Sequence, residues 1–254
     1  MASIHAPFLA LAAMAAVFLL AGLVKGVVGL GLPTVAMALL ALLMPPAQAA
    51  ALLIVPSLVT NVWQMRPWAT LGPLARRLAG MQVGVVLGTL AGAWVFGAPA
   101  GAWAEAALGI ALLAYAAWGL AGIALAVPPR HAAWLGPLVG AVTGVVTAAT
   151  GVFAVPAVPY LQALGLQRDA LVQAMGLSFT VSTVALAATL LLAGGPGFGQ
   201  AMGSSVLMLL PALAGMALGQ VLRQRLSLAL FRRCFLVSLA LLGLYMAGRP
   251  LLGH

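Results

Sequence analysis

The sequence predicts an all-α polytopic membrane protein made of two homologous halves in inverted orientation. Eight long spans and two short hairpin or re-entrant helices give five crossings per half. Three observations carry this. Hydrophobic residues make up 65% of the 254-residue chain and charged residues only 5%, where soluble domains carry about 25% charge. Apolar runs of about 20 residues, the length that crosses a hydrocarbon core, recur along the whole sequence. A glycine-rich stretch in the first run also returns in the second half. Gly22-Leu-Val-Lys25-Gly26-Val-Val and Gly140-Ala-Val-Thr143-Gly144-Val-Val agree at five of seven positions, 118 residues apart.

The spans follow in order. The first covers Pro7 to Val24 and has no Lys or Arg before it, so it is expected to be retained rather than cleaved as a signal peptide. The stretch Gly22 to Pro33 holds four glycines, and Pro33 counts as a further breaker, so a break in the helix is expected here. A short apolar piece, Leu32 to Met44, ends at Pro45-Pro46. Spans follow from Ala49 to Met65, Ala79 to Gly97 and Glu105 to Val127, with a basic loop of Arg66, Arg76 and Arg77 between the first two. Pro128-Pro129-Arg130-His131 joins residues 1–127 to residues 128–254, the two transmembrane repeats, which together form one transport domain.

The second half repeats the order. Ala132 to Thr150 carries the matching break, and Val152 to Leu164 is the short piece. The loop at Gly165 to Asp169, a span from Ala170 to Ala193, the turn Gly194 to Gly199, a span from Met202 to Leu222, a basic segment Arg223 to Arg233 and a last span from Cys234 to Gly248 complete it. Ser57 and Asn61 correspond to Ser178 and Ser182, and Gly84…Gly88 to Gly215…Gly219. The spaced glycine pairs are read as helix-packing surfaces.

Arginine positions set the orientation. If each short piece returns, Arg66, Arg76, Arg77, Arg130, Arg168 and the Arg223–Arg233 cluster share one face, nine of the eleven basic residues. Such an excess marks the cytosolic side and places both termini outside. The net charge of +9 is thereby explained by topology, with binding to anionic lipid heads second; no nucleic-acid partner is expected.

The chemistry that is missing narrows the function. Glu105 and Asp169 are the only carboxylates, and neither is placed for a proton relay in the bilayer. The histidines, at positions 5, 131 and 254, fall at ends or joins, and Cys234 is alone. No catalytic set, metal site or cofactor is expected. What remains are neutral polar groups beside the two breaks: Ser57, Asn61, Gln64, Thr143, Thr147, Thr150, Ser178 and Ser182. Amides freed near Gly26, Gly29, Gly31 and Gly151 join them. Helix N-termini and such amides bind small oxyanions. Each Ser or Thr taken singly can instead bond its own helix carbonyl. Lys25 has two readings, a snorkelling topology anchor, favoured, or a direct contact to the anion.

The duplicated glycine-rich break, the Gly151…Pro156…Pro159-Tyr160-Leu161 run and the Ser57/Asn61 and Ser178/Ser182 pairs resemble the TauE/SafE family of bacterial sulfite and organosulfonate exporters. The resemblance covers nearly the whole chain. It implies a multi-pass permease of the bacterial inner membrane whose partners are the lipid bilayer and a small sulfur-containing anion. Thr147-Ala-Ala-Thr150-Gly151 is poorer in glycine than the family's second break. A carboxylate transporter and a non-transporting membrane scaffold are the other readings, and homo-oligomerisation is left open. A transition metal is disfavoured for want of ligands. Without a relay, transport of a monoanion is expected to be electrogenic. Both breaks are expected to meet near the bilayer midplane, with Asn61 and Ser182 facing them.

Overall fold

The computed structural model describes residues 2–123, 125–194 and 198–249. His254 and residues 195–197 of the expected Gly194–Gly199 turn lie outside the described residues, as does the side chain of His5. Among the described residues there are ten α-helices and no strand: α1 (Ala2–Val28), α2 (Leu32–Leu40), α3 (Pro46–Gln64), α4 (Leu71–Phe96), α5 (Gly101–Ala121), α6 (Pro129–Thr150), α7 (Ala157–Ala163), α8 (Arg168–Ala193), α9 (Phe198–Leu222) and α10 (Leu228–Gly248). Eight of them, all but α2 and α7, are long and apolar enough to cross a bilayer. At 1.5 Å per residue α2 reaches only about 14 Å and α7 about 10 Å, so both are partial passes.

The glycine-rich stretch is more helical than its composition suggests. α1 runs unbroken through Gly22 and Gly26 to Val28, and the chain leaves the helix only at Gly29 (φ 79°) and Gly31 (φ 109°). Those two angles are the left-handed backbone that glycine alone adopts readily. Gly22 and Gly26 instead face α9. A Cβ on Gly22 would overlap the Ala212 carbonyl, and one on Gly26 would overlap that of Met216. From the other side, Gly215 and Gly219 lie against the carbonyls of Leu19 and Leu23. The second copy does the same. Gly140 and Gly144 lie inside α6 against the carbonyls of Met81 and Val85 of α4, while Gly84 and Gly88 lie against those of Pro137 and Ala141. The repeated glycines are therefore two backbone-to-backbone seams, α1 on α9 and α6 on α4. In lipid, where helices gain nothing by leaving an apolar solvent, such close approach is the main source of association.

These contacts also give directions. Residues 19 to 26 of α1 pass residues 212 to 220 of α9 in the same sense, and α4 passes α6 in the same sense from Gly80 beside Pro137 to Gly92 beside Val145. α3 and α8 run oppositely: Gly176 lies on the Asn61 carbonyl, and Gln64 reaches back to the Val172 carbonyl. α5 and α10 are antiparallel too, with Gly109 against Gly243 and Ala247, and Gly119 against Leu236. Exchanging α1–α5 for α6–α10 leaves these pairings in place. α1 and α3 run one way, α6 and α8 the other.

The ends sort accordingly. Val28, Leu30, Trp118, Gln162 and Arg232 line one cleft, so the ends of α1, α5 and α7 share a face with the start of α10. The Val127 amide bonds the Ala163 carbonyl at 2.9 Å, which brings the start of α6 to the end of α7. α7 thus returns along α6, and Tyr160 Oη bonds the Ala132 carbonyl at 3.2 Å. On the opposite face Arg249 meets Glu105 at 3.3 Å, half exposed, a pair worth at most about 1 kcal/mol.

Pro56, Pro137 and Pro211 sit inside helices, and the first two show different outcomes. Pro56 cannot donate to the Leu52 carbonyl. Ser205 of α9 takes that acceptor at 2.6 Å and accepts from the Val55 amide at 3.1 Å, tying α3 to α9. Pro137 uses its own carbonyl as the floor under Gly84.

Two predictions follow from this packing. Ala126→Cys and Gln167→Cys, in a Cys234-free background, should react with a membrane-impermeant thiol reagent from the side that modifies Thr70→Cys, and Ala98→Cys from the other; reaction of positions 126 and 167 from opposite sides would show that α7 does not return. Gly84→Leu should abolish recovery of folded protein from membranes, since the clash is with backbone and exceeds the roughly 1–3 kcal/mol of ordinary overpacking. Gly72→Ala, where a Cβ has nothing within 4 Å, should leave the yield unchanged.

Candidate anion site

The site is built where α1 runs beside α3. Lys25 is only 4% exposed, and its side chain turns into the protein. Nζ donates to Thr60 Oγ1 at 3.1 Å and to Asn61 Oδ1. The Thr60 hydroxyl spends its own hydrogen on the Pro56 carbonyl at 2.7 Å, so its lone pair is what receives Lys25. One turn along both helices, Gln64 Nε2 donates to the Gly29 carbonyl at 3.0 Å and to Val172 of α8 at 3.1 Å. Lys25 and Gly29 on α1 thus face Asn61 and Gln64 on α3 as two successive rungs. The upper rung holds the only lysine of the chain. The lower one fixes the carbonyl at the left-handed turn out of α1.

A snorkelling anchor would carry its ammonium to the interface. Lys25 does the reverse, although it lies within one turn of the end of α1. No salt bridge to it exists among the described residues. The elements around α1 offer no counter-charge: α2, α3 and α9 contain no ionisable side chain, and those of α10 are Arg232, Arg233, Cys234 and Tyr245. A buried ammonium without an anionic neighbour costs several kcal/mol.

Among the described residues, four buried side-chain atoms lack any hydrogen-bond partner: Ser57 Oγ, Asn61 Nδ2, Gln64 Oε1 and Ser182 Oγ. All four belong to residues expected from the sequence to meet the substrate. Ser57, Asn61 and Gln64 are spaced i, i+4, i+7 and lie on one face of α3. Ser182 comes from α8, which packs against α3. Buried polar atoms almost always find partners, so an unpaired set on two packed helices, one member of which is Asn61, the partner of Lys25, is the arrangement of a site that expects a ligand or water.

The other expected residues are placed differently. Thr143 and Thr150 bond the carbonyls of Val139 and Val146 in their own helix at 2.8 and 2.7 Å. Thr147 bonds the Val152 carbonyl at 3.3 Å, and Thr150 Oγ1 also accepts the Val152 amide at 3.1 Å. These threonines close the second break on itself. Ser178 pairs with Gln82 of α4 at 3.3 Å. Gly26 faces α9, where no ligand fits. Gly29 offers its carbonyl to Gln64 rather than a free amide, and Gly31 lies by Val24, Val35 and Phe235. The second break touches the short helix that follows the first. Gly151 (φ 68°) lies against the thioether of Met37, midway along α2 and about 9 Å beyond Gly31 by helical rise.

Sequence reading did not single out Thr60, Gln82, Gln173 and Ser205. Gln173 clasps the end of α3 through the Met65 and Pro67 carbonyls at 2.6 and 2.7 Å and accepts from Thr70 at 3.0 Å. A lone glutamine inside an apolar run was the available signal for Gln82 and Gln173. Among the described residues no three of His, Cys, Asp and Glu come together.

Asn61→Leu removes a partner of Lys25 and leaves the amine buried with one hydroxyl, so it should lower thermal stability, by about 3 kcal/mol if the amine stays charged. Lys25→Met should fold at least as well as the wild type in the same melting experiment.

No curated protein and no solved structure matches this chain. The family model for the sulfite exporter TauE/SafE does, over residues 14–246. That span takes in α2 to α9 entire, most of α1 and α10, and every residue of the α1–α3–α8 site. The chain belongs to the sulfite exporter TauE/SafE family, a family of membrane permeases rather than enzymes, which places it in the lipid bilayer as a carrier of sulfite or related anions.

Proposed function

We propose that this permease exports a small sulfur-containing anion, sulfite or an organosulfonate, across a bacterial inner membrane. The anion would seat between Lys25, Asn61, Ser57 and Ser182. The observation that carries the reading is the set of unpaired buried polar atoms on α3 and α8, which includes the free end of Asn61, the partner of the buried Lys25. A tetrahedral oxyanion would give the amine its missing counter-charge and accept from Asn61 Nδ2 and both serine hydroxyls. Hydrogen bonds to a charged group are worth about 1.5–3 kcal/mol each. A carboxylate could use the same donors. A scaffold protein would have no use for them, because unpaired buried groups only cost stability.

The opposite directions of corresponding helices support residues 1–127 and 128–254 as inverted repeats. In that reading α3 and α8 cross near the pseudo-two-fold axis, where the substrates of such carriers bind. The arginine-rich face is then cytosolic. An inside-negative potential supplies about 2.3 kcal/mol per charge per 100 mV, roughly a 50-fold gradient, and drives an anion outward.

Proteoliposome flux over sulfite, sulfonates, thiosulfate and carboxylates tests the function. Asn61→Leu and Ser182→Val should each weaken anion affinity about 10- to 100-fold. Flux of a fully ionised sulfonate should rise with a valinomycin-set potential negative on the cytosolic side. Wild-type affinity in both variants for every anion carried would remove the proposed site.

A further inference from the structure

The four unpaired atoms are not all of one kind. Asn61 Oδ1 accepts from Lys25, which leaves its Nδ2, a donor. Ser57 and Ser182 hydroxyls serve either way. Gln64 is the odd member. Its Nε2 sits 3.0 and 3.1 Å from two backbone carbonyls, Gly29 and Val172, which accept only. The amide orientation is thereby fixed, and the unpaired atom is Oε1, an acceptor. A bare oxyanion cannot satisfy it. Two acceptors facing each other repel, and a buried carbonyl without a donor keeps its full desolvation cost. Gln64 lies three residues from Asn61 on the same face of α3, less than one turn along the axis. One small ligand therefore spans both.

Resting on the anion reading above, the geometry points to a cargo that carries a hydrogen-bond donor of its own: a small anion with a hydroxyl or ammonium group, whose acidic oxygens meet Lys25 and Asn61 Nδ2 while the donor meets Gln64 Oε1. The site then selects by two ends. Lys25 and Asn61 read the charge. Gln64 reads the second group and, through the same amide, holds α1, α3 and α8 in register. A site built to pair a substrate hydroxyl discriminates strongly against the analogue that lacks it, because the analogue leaves the acceptor unpaired.

The test is binding of matched pairs to the purified, detergent-solubilised full chain by calorimetry. 2-Hydroxyethanesulfonate is compared with ethanesulfonate, and 2-hydroxyacetate with acetate, so that the sulfonate and carboxylate sources are separated. The hydroxylated member should bind about 10- to 100-fold more tightly in at least one pair. Gln64→Leu should bring that ratio close to 1, and Ser182→Ala should preserve a preference. If Gln64→Leu does not fold, the wild-type ratio decides alone. Equal binding within both pairs would overturn the inference and leave the anion site standing, with water on Gln64. Binding of none of the four, nor of sulfite, would instead overturn the anion site and the inference with it.

Discussion

An amine buried inside the helix bundle without a carboxylate beside it is the constraint on which the site depends. Hydrocarbon and helix backbone both solvate an ammonium poorly, and the cost of several kcal/mol must be offset locally. Lys25 finds Thr60 and Asn61, which orient it but bring no charge. Every feature nearby follows from holding that group in place. α1 reaches α3 through the side chains of Lys25 and Gln64, while Gly22 and Gly26 pack it on α9. α3 must keep a regular helix through Pro56, so Ser205 takes the freed Leu52 carbonyl. The turn at Gly29 must not drift, so Gln64 bonds its carbonyl. An anion is the natural completion of this arrangement, and family membership points the same way.

The two halves share a frame and differ in what they place on it. Where the first half has Lys25, the second has Thr143, whose hydroxyl is spent on Val139. Where the first has a turn stabilised from outside by Gln64, the second has a break sealed by its own Thr147 and Thr150. Asn61 has its counterpart in Ser182, and both present an unpaired atom. The asymmetry puts the charged end of the site in the first half and leaves the second to supply rigidity and one hydroxyl.

The class, the span count and the helix order were legible because hydrophobicity, not detail, decides them in a membrane. The four residues with unpaired atoms were legible for a related reason: a polar side chain in an apolar run is costly and seldom idle. The glycines were harder. Gly22 and Gly26 look like breakers in sequence, since glycine is costly in a water-exposed helix, yet they sit within α1. A missing Cβ serves a turn and a tight seam equally well, and only the partner helix tells which. Lys25 stayed between two readings for the same kind of reason. Its distance from the span's end suits snorkelling, but its direction around the helix, set by the α1–α9 seam, sends it inward. The threonines of the second break were ambiguous one by one, and their bonds to nearby carbonyls in α6 and at the break resolved them.

The central claim is that Lys25 and Asn61 form the seat of the anion. Calorimetric titration of sulfite into purified wild-type protein and into Lys25→Gln tests it most directly, because glutamine removes the charge and keeps an N–H donor on a side chain only one atom shorter. The account predicts at least a 10-fold loss of affinity, the equivalent of about 1.4 kcal/mol, with unchanged thermal melting. Undiminished affinity in Lys25→Gln would contradict it.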